Sequence, residues 1–89
     1  MAEPLKSLIT RAKAACESRA TTLRADADKA TDAMTPLILE HWAKKFDARA
    51  EDCARLLETA DNVDPRDAQT IRNTCCEHLN FCAERITLS

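Results

Sequence analysis

Five cysteines and two histidines are the residues of this 89-residue chain with the widest chemical repertoire. Cys16, Cys53, Cys75, Cys76 and Cys82 could ligate a soft metal ion, exchange disulfides, or fill a core as small hydrophobes. Folding the chain antiparallel about two short links puts Cys16 level with Cys53, and Cys53 within about a turn of Cys75. His78 lies one turn beyond Cys75 on nearly the same helical face, so three thiols and an imidazole would share one layer. Three cysteines with one histidine form an accepted tetrahedral zinc environment, and thiolates also suit Cu(I). The candidate metal set is therefore Cys16, Cys53, Cys75 and His78. Cys82 cannot join Cys75 on the same ion. Seven residues along a helix separate the two by roughly 10 Å, against zinc–sulfur bonds of about 2.3 Å.

Packing competes with metal binding for these residues. Cys16, Cys53, Cys75 and Cys82 each occupy a helix-seam position where alanine or valine would serve, and unpaired cysteine is among the most buried residue types. A structural role is the primary expectation, with zinc or copper binding or thiol redox chemistry as the alternative. Cys76 falls about 100° around the helix from Cys75 and is the thiol expected to face solvent. The run Cys75-Cys76-x-His78 followed by Cys82 is similar, over about eight residues, to the cysteine-lined helices of four-helix copper-storage proteins; the other helices lack their repeated cysteines.

Catalytic patterns find little support. Di-iron carboxylate bundles use Glu-x-x-His on two helices, and the chain has none. Glu40-His41 and Glu77-His78 are adjacent pairs, and adjacent residues on a helix do not face each other. With no glycine, there is no glycine-rich loop to cradle a phosphate. The expectation is a protein without enzymatic activity and without a cofactor.

The elements that would position these residues announce themselves through proline. Glu3-Pro4, Thr35-Pro36 and Asp64-Pro65 each pair a polar residue with a proline suited to the first helical position. The predicted helices span residues 4–33, 36–60 and 65–87 of a single domain. Thr35 and Asp64 are the expected caps, and Met34 and Leu39 would form a hydrophobic staple over the second helix start. The short links make successive helices antiparallel. The fold class is all-α, an up-down-up antiparallel three-helix bundle, with a dimer formed by two such hairpins pairing through the first helix as the variant. The first helix repeats Ile9, Cys16, Leu23 and Ala30 at intervals of seven. The second would turn Ile38, Trp42, Phe46, Cys53, Leu56, Leu57 and Ala60 inward, and the third Ala68, Ile71, Cys75, Leu79, Cys82 and Ile86.

Much of the apolar content is alanine, and only Trp42, Phe46 and Phe81 are aromatic. So thin a core points to association with another protein or with itself. Leu37, Trp42, Phe81 and Leu88 are the candidate partner-binding residues. Leu37 points sideways from the second helix, while Phe81 and Leu88 share a side of the third. Thirteen basic and fifteen acidic residues are interspersed, with Glu40/Lys44 and Glu51/Arg55 at favourable helical spacing. That balance disfavours nucleic acid as a partner. No apolar run approaches the ~20 residues of a membrane span, and the first residues lack a signal-peptide pattern. Free thiols in an odd number then suggest a reducing, intracellular setting, the cytoplasm first.

Overall fold

A computed structural model describes residues 3–86 and contains three helices: α1 (Leu5–Lys29), α2 (Met34–Thr59) and α3 (Pro65–Ala83). A short 3₁₀ turn, Ala60–Asn62, follows α2. Cross-helix contacts give the directions. Arg24 near the end of α1 meets Glu40 near the start of α2, whereas Lys6 at the start of α1 meets Asp61 beyond the end of α2. Those helices are antiparallel. α3 runs parallel to α1, because Arg72 reaches the Glu3 carbonyl and Arg19 reaches that of Glu84. The result is an all-α, up-down-up bundle measuring 49 × 20 × 17 Å.

Three helix ends depart from expectation. α1 stops at Lys29 rather than residue 33, with Ala30 extended at ψ 143° and its N–H on the Ala27 carbonyl. The reason lies in Asp32, whose carboxylate accepts from the Thr35 N–H at 2.8 Å and caps α2 earlier than Thr35 could. That bond also holds the Asp32 carboxyl below its ordinary range. Pro36 is then the third residue of α2 rather than the first. It is tolerated there because the first four N–H groups of a helix have no partner within it. The proposed staple does not form, since Met34 is helical and 64% exposed. At α3 Pro65 does take the first position, but the Asp64 side chain makes no capping bond; its backbone carbonyl accepts from Ala68 instead. α3 ends at Ala83 rather than residue 87, with Glu84 extended. Without glycine, no described residue takes a positive φ, and α1 and α3 terminate by turning extended.

The core divides into two clusters. Leu8, Ile9, Ala12, Cys53, Ile71 and Cys75 form the first. Ala20, Leu23, Leu39, Ala43 and Phe46 form the second, with Trp42, Phe81 and Cys82 packed on its flank. Cys16, wholly buried, lies on α1 between the two sets. The buried line of α2 is Leu39, Ala43, Phe46, Ala50 and Cys53, so the helix is rotated from the expected face. Ile38 and Trp42 sit half-buried beside that line. Alanines at Ala12, Ala20, Ala43 and Ala50 explain the rotation: small residues let α1 and α2 approach closely, where an indole would hold them apart. α1 therefore packs along both other helices, while α2 and α3 touch each other only sparsely.

Candidate functional site

The sparse contact between α2 and α3 leaves two clefts along one side of the bundle. One, of about 390 Å³, is lined by Lys45, Ala48, Arg49, Asp52 and Arg55 from α2 and by His78 and Phe81 from α3. The α2 residues recur at three- and four-residue steps, which places them on one face. The second cleft, of about 540 Å³, lies nearer the α2–α3 link, between Glu58, Thr59, Asn62 and Val63 on one side and Asp67, Thr70 and Ile71 on the other. Its charged groups are acidic, while those of the first cleft are mainly basic.

His78 closes the floor of the first cleft and is only 7% exposed. Its Nδ1 lies 2.9 Å from Arg49 Nη1 and its Nε2 lies 3.0 Å from Asp52 Oδ2. A guanidinium can only donate, so Nδ1 accepts from Arg49 and the ring proton sits on Nε2, donated to Asp52. Arg49 and Asp52, one turn apart on α2, thus grip one imidazole of α3 at both nitrogens. The Arg49 guanidinium also lies over the Phe81 ring, 3.8 Å from its centroid. Phe81 in turn packs on Phe46 at 5.0 Å and on Trp42 at 6.0 Å between ring centroids. Lys45 lies over the Trp42 ring at 5.6 Å.

This arrangement has limited catalytic capacity. An aspartate–histidine pair supports catalysis when the second imidazole nitrogen is available to a nucleophile. Here a cation occupies that nitrogen, and no hydroxyl or thiol lines the first cleft. The cleft suits anion binding better. Arg55 leans on Asp52 at 3.6 Å, but Lys45 and Arg49 have no carboxylate partner among the described residues.

The residues singled out from sequence separate in space. Leu37 is 67% exposed at the start of α2, beside Met34 on the same face and away from the cleft. Trp42 and Phe81 are half-buried and meet each other. Phe81 therefore covers the edge of the second core cluster rather than standing on an exposed strip, and Leu88 lies outside the described residues. The proposed metal layer does not assemble. Cys16 turns its sulfur to Cys82 at 3.5 Å, Cys53 and Cys75 are buried in the first core cluster, and both nitrogens of His78 are engaged. No three histidine, cysteine, aspartate or glutamate side chains converge as metal ligands among the described residues. The direction in which each side chain leaves its helix separates the set.

Burial raises the thiols. Cys16 is pushed up to about 12, by desolvation first and then by its contact with Cys82, and Cys53 is pushed by burial to about 11. Cys75 is raised for the same reason. Cys76 is exposed, as its helical phase implies. Lys45, Arg49 and Asp52 were missed in the sequence because a charged face at helical spacing looks like ordinary solvated surface. The expected Glu40/Lys44 pair also gives way, since Arg24 of α1 bridges Glu40 at 3.1 Å and Asp47 at 2.8 Å. No protein-family model, curated protein or solved structure matches the chain.

Proposed function

We propose that the protein is a non-enzymatic interaction module whose α2–α3 groove receives an acidic helix of a partner protein. The observation that carries this reading is the divergence of α2 from α3, which leaves Lys45 and Arg49 lining an open cleft without an ion-pair partner among the described residues. A fourth helix laid there would cover the half-buried Trp42 and Phe81 and bring its own carboxylates to the basic end. Leu37 and Met34 extend the apolar surface at the α2 start and offer a contact for a second copy of the chain. A reducing compartment, the cytoplasm first, fits five unpaired thiols of which Cys76 is exposed. No helix among the described residues is long and apolar enough to cross a membrane. The formal net charge of −2 supports a protein partner over nucleic acid.

Trp42 is the sole tryptophan and stacks against the groove wall, so its fluorescence reports occupancy. The test titrates the protein with an amphipathic helical peptide carrying glutamates four residues apart, and with the same peptide carrying glutamines. Saturable change with the first and at least about tenfold weaker binding of the second are expected. Lys45→Glu combined with Arg55→Glu should abolish the difference. Equal response to both peptides, or none to either, refutes the acidic-helix reading. Dimers in sedimentation that dissociate on Leu37→Lys would replace it with self-association.

A further inference from the structure

Cys16 of α1 and Cys82 of α3 hold their sulfurs 3.5 Å apart. A disulfide needs about 2.0 Å, a closure within reach of small side-chain rotations. The backbones that carry them are fixed in register on both sides. Arg72 bonds the Glu3 carbonyl at 2.6 Å toward one end, and Arg19 bonds the Glu84 carbonyl at 3.2 Å toward the other. The two thiols also differ in access. Cys16 is wholly buried, whereas Cys82 is half-buried on the flank of the second core cluster.

We propose that Cys16 and Cys82 are a modification site, forming a reversible disulfide by exchange with a small-molecule disulfide. In the first step the Cys82 thiolate attacks one sulfur of the reagent, forming a mixed disulfide and expelling one thiolate. In the second, the Cys16 sulfur attacks Cys82, forms the internal bond and expels nothing further from the protein but the second small thiolate. The two protons lost by the cysteines end on the two released thiols, and the two electrons they lose reduce the reagent's own disulfide. Cys82 is the entering thiol because the reagent can reach it. Cys16, facing Cys82 from α3 and Cys53 and Arg49 from α2, is held as the neutral thiol and cannot react first. Cys76, exposed on α3, would accept the same reagent but has no thiol facing it from another helix to resolve the adduct. Cys53 and Cys75 are wholly buried in the first core cluster, out of the reagent's reach.

The test uses the full chain with Cys76→Ser, which removes the exposed thiol and leaves four. It is incubated with oxidised glutathione, alkylated under denaturing conditions and mapped by mass spectrometry. Two thiols should disappear, no glutathione should be retained, and one cross-linked peptide pair should contain Cys16 and Cys82; dithiothreitol should restore all four thiols. With Cys82→Ala added, the three remaining thiols should persist without adducts. Four persisting thiols in the Cys76→Ser protein, a stable glutathione adduct at Cys82, or a bond joining Cys53 to Cys75 overturns the proposal.

Discussion

Replacing Phe81 by alanine separates an edge-of-core residue from an exposed anchor by the size of its effect on folding. A fully buried phenylalanine costs about 3–5 kcal/mol when truncated to alanine. Phe81 is half-buried, so about half of that range applies to its volume. Its ring also meets Phe46 at 5.0 Å, an aromatic pair worth about 0.5–1.5 kcal/mol. The overlying Arg49 guanidinium adds about 0.5–1 kcal/mol. A loss of about 2.5–5 kcal/mol is expected. For a domain of this size that would lower the thermal midpoint by more than about 10 °C. Urea unfolding followed by far-UV circular dichroism measures it, with an unchanged slope confirming that only stability moved. Phe81→Leu keeps most of the volume and should lose only the ring contacts, about 1–2.5 kcal/mol. A loss below about 0.5 kcal/mol for Phe81→Ala would refute the reasoning and return Phe81 to the exposed face.

The buried thiols predict a loss of stability in alkali. Cys16 and Cys53 hold their protons to about 12 and about 11 in the folded chain, against an ordinary 9.0. Above about pH 9 the unfolded chain sheds protons that the folded one keeps, so thermal midpoints should be level below that pH and fall as it rises toward about 12. Cys16→Ala with Cys53→Ala should flatten the fall, and an equal decline in that variant would exclude these thiols as its cause. Asp52→Ala leaves the His78 Nε2–H without its acceptor in a site only 7% exposed, and should cost about 1–3 kcal/mol in urea unfolding. Asp52→Asn, which keeps an acceptor oxygen, should cost less; equal losses would show that the bond contributes little. Timed alkylation of the native protein should modify Cys76 first and Cys82 next, with Cys16, Cys53 and Cys75 last, and early modification of Cys53 would contradict the packing of the first cluster.

Local chemistry was enough to determine the elements and their order. Proline at Pro65 excludes a continuing helix and favours a new one, and that boundary stands at the predicted residue. Thr35-Pro36 misled by two residues because Asp32, with a carboxylate three positions ahead of the Thr35 N–H, is the better-placed cap. Helical periodicity also placed Cys16, Cys53 and Cys75 inside and Cys76 outside. Periodicity defines a stripe about each helix, however, and does not say how closely two stripes approach. The alanines along α1 and α2 drew those helices together and rotated α2 onto Leu39, Ala43 and Phe46, which moved Trp42 to the flank. That rotation, together with the separation of α2 from α3, opened the cleft and aimed Arg49 and Asp52 at His78. It also left Cys16 facing Cys82, while Cys53 and Cys75 pack into the first core cluster. One-dimensional spacing carries height and phase along each helix; the directions in which side chains meet depend on interaxial distance and rotation, and these are settled only when all three helices pack at once.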